Sequence, residues 1–81
     1  MSASQELLDS IRGLAADVLG VPAAALTAAS GPDTIEAWDS VAHLNLVMAA
    51  EEQFGVSLDP AEIESVHSLG ELAGVIAKHR Q

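Results

Sequence analysis

Apolar residues recur along this chain at helical spacing and nowhere alternate as they would in a half-buried strand. That property directs the fold toward helices packed on helices. Leu7, Ile11, Leu14 and Val18 repeat at intervals of four, three and four, and Leu8, Ala15 and Leu19 widen the stripe. The pattern predicts a first helix over residues 3–19. Ser2 and Gln5 stand at capping-box spacing ahead of it. Gly20 is a stop, and Pro22 discourages continuation. A second helix is predicted over 40–54, capped by Asp39 and stopped by Gly55. Asp59-Pro60-Ala61-Glu62 announces a short third helix, with the cap, the proline at the first helical position and the glutamate three past the cap. Ser68-Leu69-Gly70-Glu71 opens a fourth, with Leu69, Leu72 and Ile76 on one face. Lys78, His79 and Arg80 at its end suit the negative pole of the helix dipole.

Between the first two helices runs a long connection, from Val21 to about Trp38. Pro22 to Leu26 reads as one helical turn and Ser30-Gly31-Pro32-Asp33 as a turn. Loops of this length are uncommon in compact domains unless they are functional or held down by apolar anchors. Leu26 and Ile35 are the anchor candidates. The expected fold is thus all-α: a four-helix bundle with a long loop between helices 1 and 2 and a short third helix.

Composition limits what such a bundle does. The 81 residues make one small domain, spanning 1–81. Fifteen are Ala, which favours helix but fills little core; 25 are larger apolar side chains, enough for one core. Twelve acidic residues against three Lys and Arg give a net charge of −9. A chain so poor in cations neither neutralises nucleic-acid phosphates nor holds an anionic membrane surface. Its acidity suits partners with basic patches. The chain has no Cys, hence no disulfide, no thiolate metal site and no thiol nucleophile. Residues 1–6 lack the basic and apolar regions of a signal peptide, and no apolar run reaches membrane-spanning length. The expectation is a cytoplasmic monomer.

The second helix carries more apolar surface than one core face needs. On a helical wheel Leu46, Val47, Ala50 and Phe54 share one arc, while Val41, Leu44 and Met48 form a second stripe that starts at Ser40. Glu51 and Glu52 lie within or beside that stripe. Three readings stand: a helix buried on two sides, a scattering of surface apolars, or a core face joined to an apolar and acidic docking face. Ser40 follows Asp39 at a helix start, where backbone N–H groups and the dipole favour a phosphate. Most serines so placed serve only as caps.

Read together these features are specific. Ala37-Trp38-Asp39-Ser40-Val41 is followed at fixed spacing by Leu46-Val47-Met48 and then by Ala50-Glu51-Glu52-Gln53-Phe54-Gly55-Val56. Val66-His67-Ser68-Leu69-Gly70-Glu71-Leu72-Ala73 and the opening helix through Leu19-Gly20-Val21 complete the pattern. The chain resembles the acyl carrier protein family over nearly its whole length. The resemblance implies a non-catalytic carrier. A phosphopantetheinyl transferase would attach 4'-phosphopantetheine from coenzyme A to Ser40, and acyl or aminoacyl cargo would ride on the arm as a thioester. It further implies docking through Trp38, Asp39, Val41, Leu44, Met48, Glu51 and Glu52 to acyl-transferring, condensing or adenylating enzymes with basic patches.

The chain also departs from the family's pattern. Val41 stands where Leu or Met is usual, and Ala42 and Asn45 stand where many fatty-acid carriers are acidic. Trp38 replaces a small residue. These departures point away from primary fatty-acid synthesis and toward a free-standing carrier of a specialised pathway, polyketide or related. A peptidyl carrier loaded by an adenylating enzyme and an unmodified helical interaction module are the alternatives. Trp38 reads as a loop anchor, a partner contact or an aromatic wall beside the arm. His43 falls on the core side of the wheel and reads as a satisfied, partly buried imidazole. His67 and His79 lack metal-ligand spacing. Ser40 with His43 makes no hydrolase without a pocket and oxyanion donors.

Overall fold

The computed structural model describes residues 3–80. Four α-helices follow one another: α1 Ala3–Leu19, α2 Ser40–Phe54, α3 Pro60–Ser65 and α4 Leu69–His79, with a short 3-10 turn at Ala23–Ala25 after α1. The described residues contain no strand. These bounds agree with the caps and stops read from sequence. Ser2, the expected cap of α1, lies outside the described residues.

Each later helix begins on a side chain that takes its free backbone donors. Asp39 accepts from the Ala42 N–H at 2.8 Å. Asp59 and Glu62 form a reciprocal capping box at α3, with Pro60 at its first position. Ser68 Oγ accepts from the Glu71 N–H, while the Ser68 hydroxyl donates to the Glu71 carboxylate. Gly20 and Gly55 end α1 and α2 at φ 70° and 65°, the left-handed turn that glycine adopts without strain.

The helix α1 packs against both α2 and α4. Ile11 and Ala15 from α1, Leu46, Val47 and Ala50 from α2, and Leu69, Leu72 and Ile76 from α4 form the buried centre. Burying each larger apolar side chain is worth about 1.5–3 kcal/mol. Three small residues, Ala15, Ala50 and Ala73, are buried with them and allow the helices to approach closely.

The long loop is built rather than slack. Arg12 reaches out of α1 and donates through Nε to the Leu26 carbonyl and through Nη2 to the Ala23 carbonyl, both at 3.0 Å. Leu26 and Trp38 are buried at 1% and 2% exposure, while the second expected anchor, Ile35, is only half-buried. Two turns stand where one was expected. Ser30 N–H donates to the Thr27 carbonyl, and Thr34 and Ile35 N–H both donate to Gly31. The hydroxyls of Ser30 and Thr34 accept from the Thr27 and Gly31 N–H groups and so shift the turn chemistry outward from Ser30–Asp33. The loop then lies on the start of α4. Leu69 and Gly70 N–H donate to the carbonyls of Ser30 and Ala28, both at 2.9 Å. A Cβ on Gly31 would collide with the His67 carbonyl oxygen.

Candidate functional site

Ser40 is the first residue of α2, and it is exposed. Asp39 before it has turned its carboxylate to the Ala42 N–H and its carbonyl to the His43 N–H. Ser40 therefore does not act as the cap; Asp39 does, and the Ser40 hydroxyl is left facing outward. First-turn N–H groups of a helix lack intrahelical acceptors. An anion joined to Ser40 Oγ would meet the first-turn donors that Asp39 does not take, and the positive end of α2.

The residues on either side of this point are fixed from within. Trp38 Nε1–H donates to His43 Nδ1 at 2.9 Å, and the two rings meet edge to edge, with centroids 6.0 Å apart and planes 25° from parallel. The other imidazole nitrogen, Nε2, lies 2.9 Å from the Ile63 carbonyl. An indole N–H only donates and a carbonyl only accepts. Both bonds together require the neutral imidazole with its proton on Nε2. The partly buried His43 thus has both nitrogens satisfied, as its place on the wheel implied.

Beside Ser40 opens a cleft of about 570 Å³. Ser40, His43 and Leu44 of α2 form one wall, and Ile63 and Glu64 of α3 form the facing one. Val66 and His67 line its end, and Pro32 and Trp38 its loop side. Ser40 is part of the lining, which is both apolar and polar.

The remaining residues singled out in the sequence separate into two groups. Val41, Leu44 and Met48 are exposed at 68%, 53% and 62%, a contiguous apolar stripe running from Ser40 along α2. Asp39 and Glu52 are exposed near its two ends. Trp38 and Glu51 are less exposed than the other residues singled out for docking. Trp38 is buried and packs the loop on the core. Glu51 is half-buried because its Oε2 accepts the Leu58 N–H at 2.7 Å, which fixes the connection from α2 to α3.

A second contact on α3 was not anticipated. His79 at the end of α4 donates from Nε2 to both Glu62 oxygens, at 2.8 and 2.9 Å. The Asp59 backbone N–H and then His79 hold the Glu62 carboxyl below its ordinary value of 4.5. Sequence spacing gives no sign of this pair, because its two residues lie 17 apart and on different helices. Among the described residues no group of three His, Cys, Asp or Glu is placed to hold a metal ion. No described helix is long and apolar enough to cross a membrane.

A family model described as a phosphopantetheine attachment site matches residues 9–76, which includes the whole of α2 and α3. The chain is also similar to the acyl carrier protein of Thermotoga maritima, with 30% identity over 79 residues that cover 96% of each chain.

Proposed function

The chain belongs to the phosphopantetheine-bearing acyl carrier protein family, and from that premise we propose that Ser40 is its attachment residue. The carrier is non-catalytic: a phosphopantetheinyl transferase modifies it and biosynthetic enzymes use it. The arm supplies the thiol that this Cys-free chain lacks, on which cargo is held as a thioester.

One observation carries the assignment to Ser40: its hydroxyl is exposed at the start of α2 and opens on the 570 Å³ cleft, while Asp39 does the capping. The residues present fit a phosphodiester there. The helix start favours the negative charge, and the cleft leaves room for the root of an arm. Val41, Leu44 and Met48, with Asp39 and Glu52 at the margins, form the face we assign to partner enzymes with basic surfaces. Met adapts its shape to more than one partner.

The thin acidity of the face supports service in a specialised pathway, polyketide or related, over primary fatty-acid synthesis. Ala42 and Asn45 leave α2 without a carboxylate until Glu51. A loading screen tests the cargo. The arm-bearing chain is offered to acyl-transferring enzymes with acyl thioesters, and to adenylating enzymes with amino acids and ATP, and intact mass is read. Acylation by the first set is expected. Loading by adenylating enzymes alone would assign the chain to the aminoacyl class instead, and loading by neither would reject this reading of its cargo.

A further inference from the structure

The helix α3 is held differently from the other three. It is six residues long and buries none of them. Leu58 before it and Val66 after it are in the core, at 7% and 1% exposure, so α3 is a span between two anchors. Two imidazoles reach it from other helices. His79 of α4 takes the Glu62 carboxylate. His43 of α2 takes the Ile63 carbonyl. The two contacts differ in what they control. His79 approaches from the end of α4 and lines no part of the cleft, whereas His43 and Ile63 lie on its two facing walls. The bond from His43 to Ile63 therefore ties the walls together, one turn along α2 from Ser40.

We propose that His43 is a positioning residue that sets the spacing of α3 from the start of α2, and with it the width of the cleft at Ser40. The division of labour within its ring makes this possible. Nδ1 accepts from Trp38 and fixes the ring plane; Nε2–H then points at the Ile63 carbonyl. Trp38, two residues before Ser40, is thereby coupled to α3 through a single side chain. The structural part of the proposal is independent of the Ser40 assignment, and only its consequence for modification rests on that reading.

Two conservative variants separate the two bonds. The amide of His43→Asn keeps an acceptor near the position of Nδ1 but is too short to reach Ile63. His43→Gln places a donor at the reach of Nε2. Amide hydrogen exchange is measured on the unmodified chain. In His43→Asn the amides of residues 61–66 should exchange about tenfold faster, the scale expected for one lost hydrogen bond, with the core amides of α1 and α4 unchanged. His43→Gln should hold α3 near its original rate. Unchanged α3 exchange in His43→Asn would overturn the proposal. So would faster exchange throughout the core, an unfolded His43→Asn chain, or equal loosening in the two variants. Phosphopantetheine transfer gives the second readout. His43→Asn should raise the half-saturating carrier concentration several-fold and leave the turnover number unchanged, and the reverse split would count against a positioning role. Failure of transfer to the original chain would reject the Ser40 assignment and leave the exchange result standing.

Discussion

Trp38 and Ser40 are two residues apart and meet opposite environments: the indole is buried at 2% exposure and the serine hydroxyl stands in solvent. Asp39 between them caps the helix, so each of the three neighbours has one task. The loop that brings them there depends on Gly31, whose missing side chain lets the backbone approach His67. Gly31→Ala should cost about 1–3 kcal/mol, the usual scale of overpacking, because the methyl would displace the loop from the start of α4. Urea unfolding measures this, and an unchanged midpoint would contradict it. Residue roles were legible in sequence where they follow helical periodicity. The wheel placed His43 on the core side of α2 and set Val41, Leu44 and Met48 on a separate stripe, which only the fold shows to be exposed. Its partners were not legible, since Trp38 and Ile63 come from segments with no periodic relation to α2. Nor did anything in the sequence mark Arg12 as the side chain that ties down the loop, because an exposed Arg on a helix ordinarily faces water.

The helix α2 has two apolar faces, whereas α3 fully buries none of its residues and packs only the half-buried Ile63 against the core. The helix α2 buries Leu46, Val47 and Ala50 and offers Val41, Leu44 and Met48. It was bounded in sequence by Asp39 and Gly55 because caps and stops are local chemistry. The helix α3 was equally legible as a helix from Asp59-Pro60-Ala61-Glu62. What holds it in place was not, since His43 and His79 act across space. Glu62 serves in both settings, as the return arm of the capping box and as the partner of His79. Its folded-state pKa is depressed, so the stability it contributes is complete above the unfolded value and is lost as pH falls through the lowered folded value. The Glu62 side-chain carboxyl carbon, followed by NMR, should titrate with a midpoint below 4.5. A midpoint at or above 4.5 would contradict the hydrogen bonds assigned to it from Asp59 and His79.

The whole molecule is small and acidic, with a radius of gyration of 11.3 Å and a net charge of −9. Its three Lys and Arg are already counted in that charge, and two of them have local contacts: Arg12 holds the loop and Arg80 lies over the Phe54 ring at 5.7 Å. Such a surface speeds encounter with basic partners and makes that encounter sensitive to salt. Glu52→Lys should slow phosphopantetheine transfer several-fold at low ionic strength while leaving the unfolding midpoint in place. Glu51 is the poorer position for this test, because its carboxylate also holds Leu58. An equal rate for Glu52→Lys at low salt would remove that end of α2 from the docking face. The helical class and family resemblance were legible from the chain because caps, stops and the Asp-Ser turn recur at fixed spacing. The cleft was not, since its two walls meet only in the folded chain. The central claim is that Ser40 bears the arm, and intact mass tests it most directly. The chain and its Ser40→Ala variant, each shown to be folded, are incubated with coenzyme A and a panel of phosphopantetheinyl transferases. The account predicts a gain of one phosphopantetheine on the original chain and none on the variant. The same gain on Ser40→Ala, or none on the original chain across the panel, would contradict it.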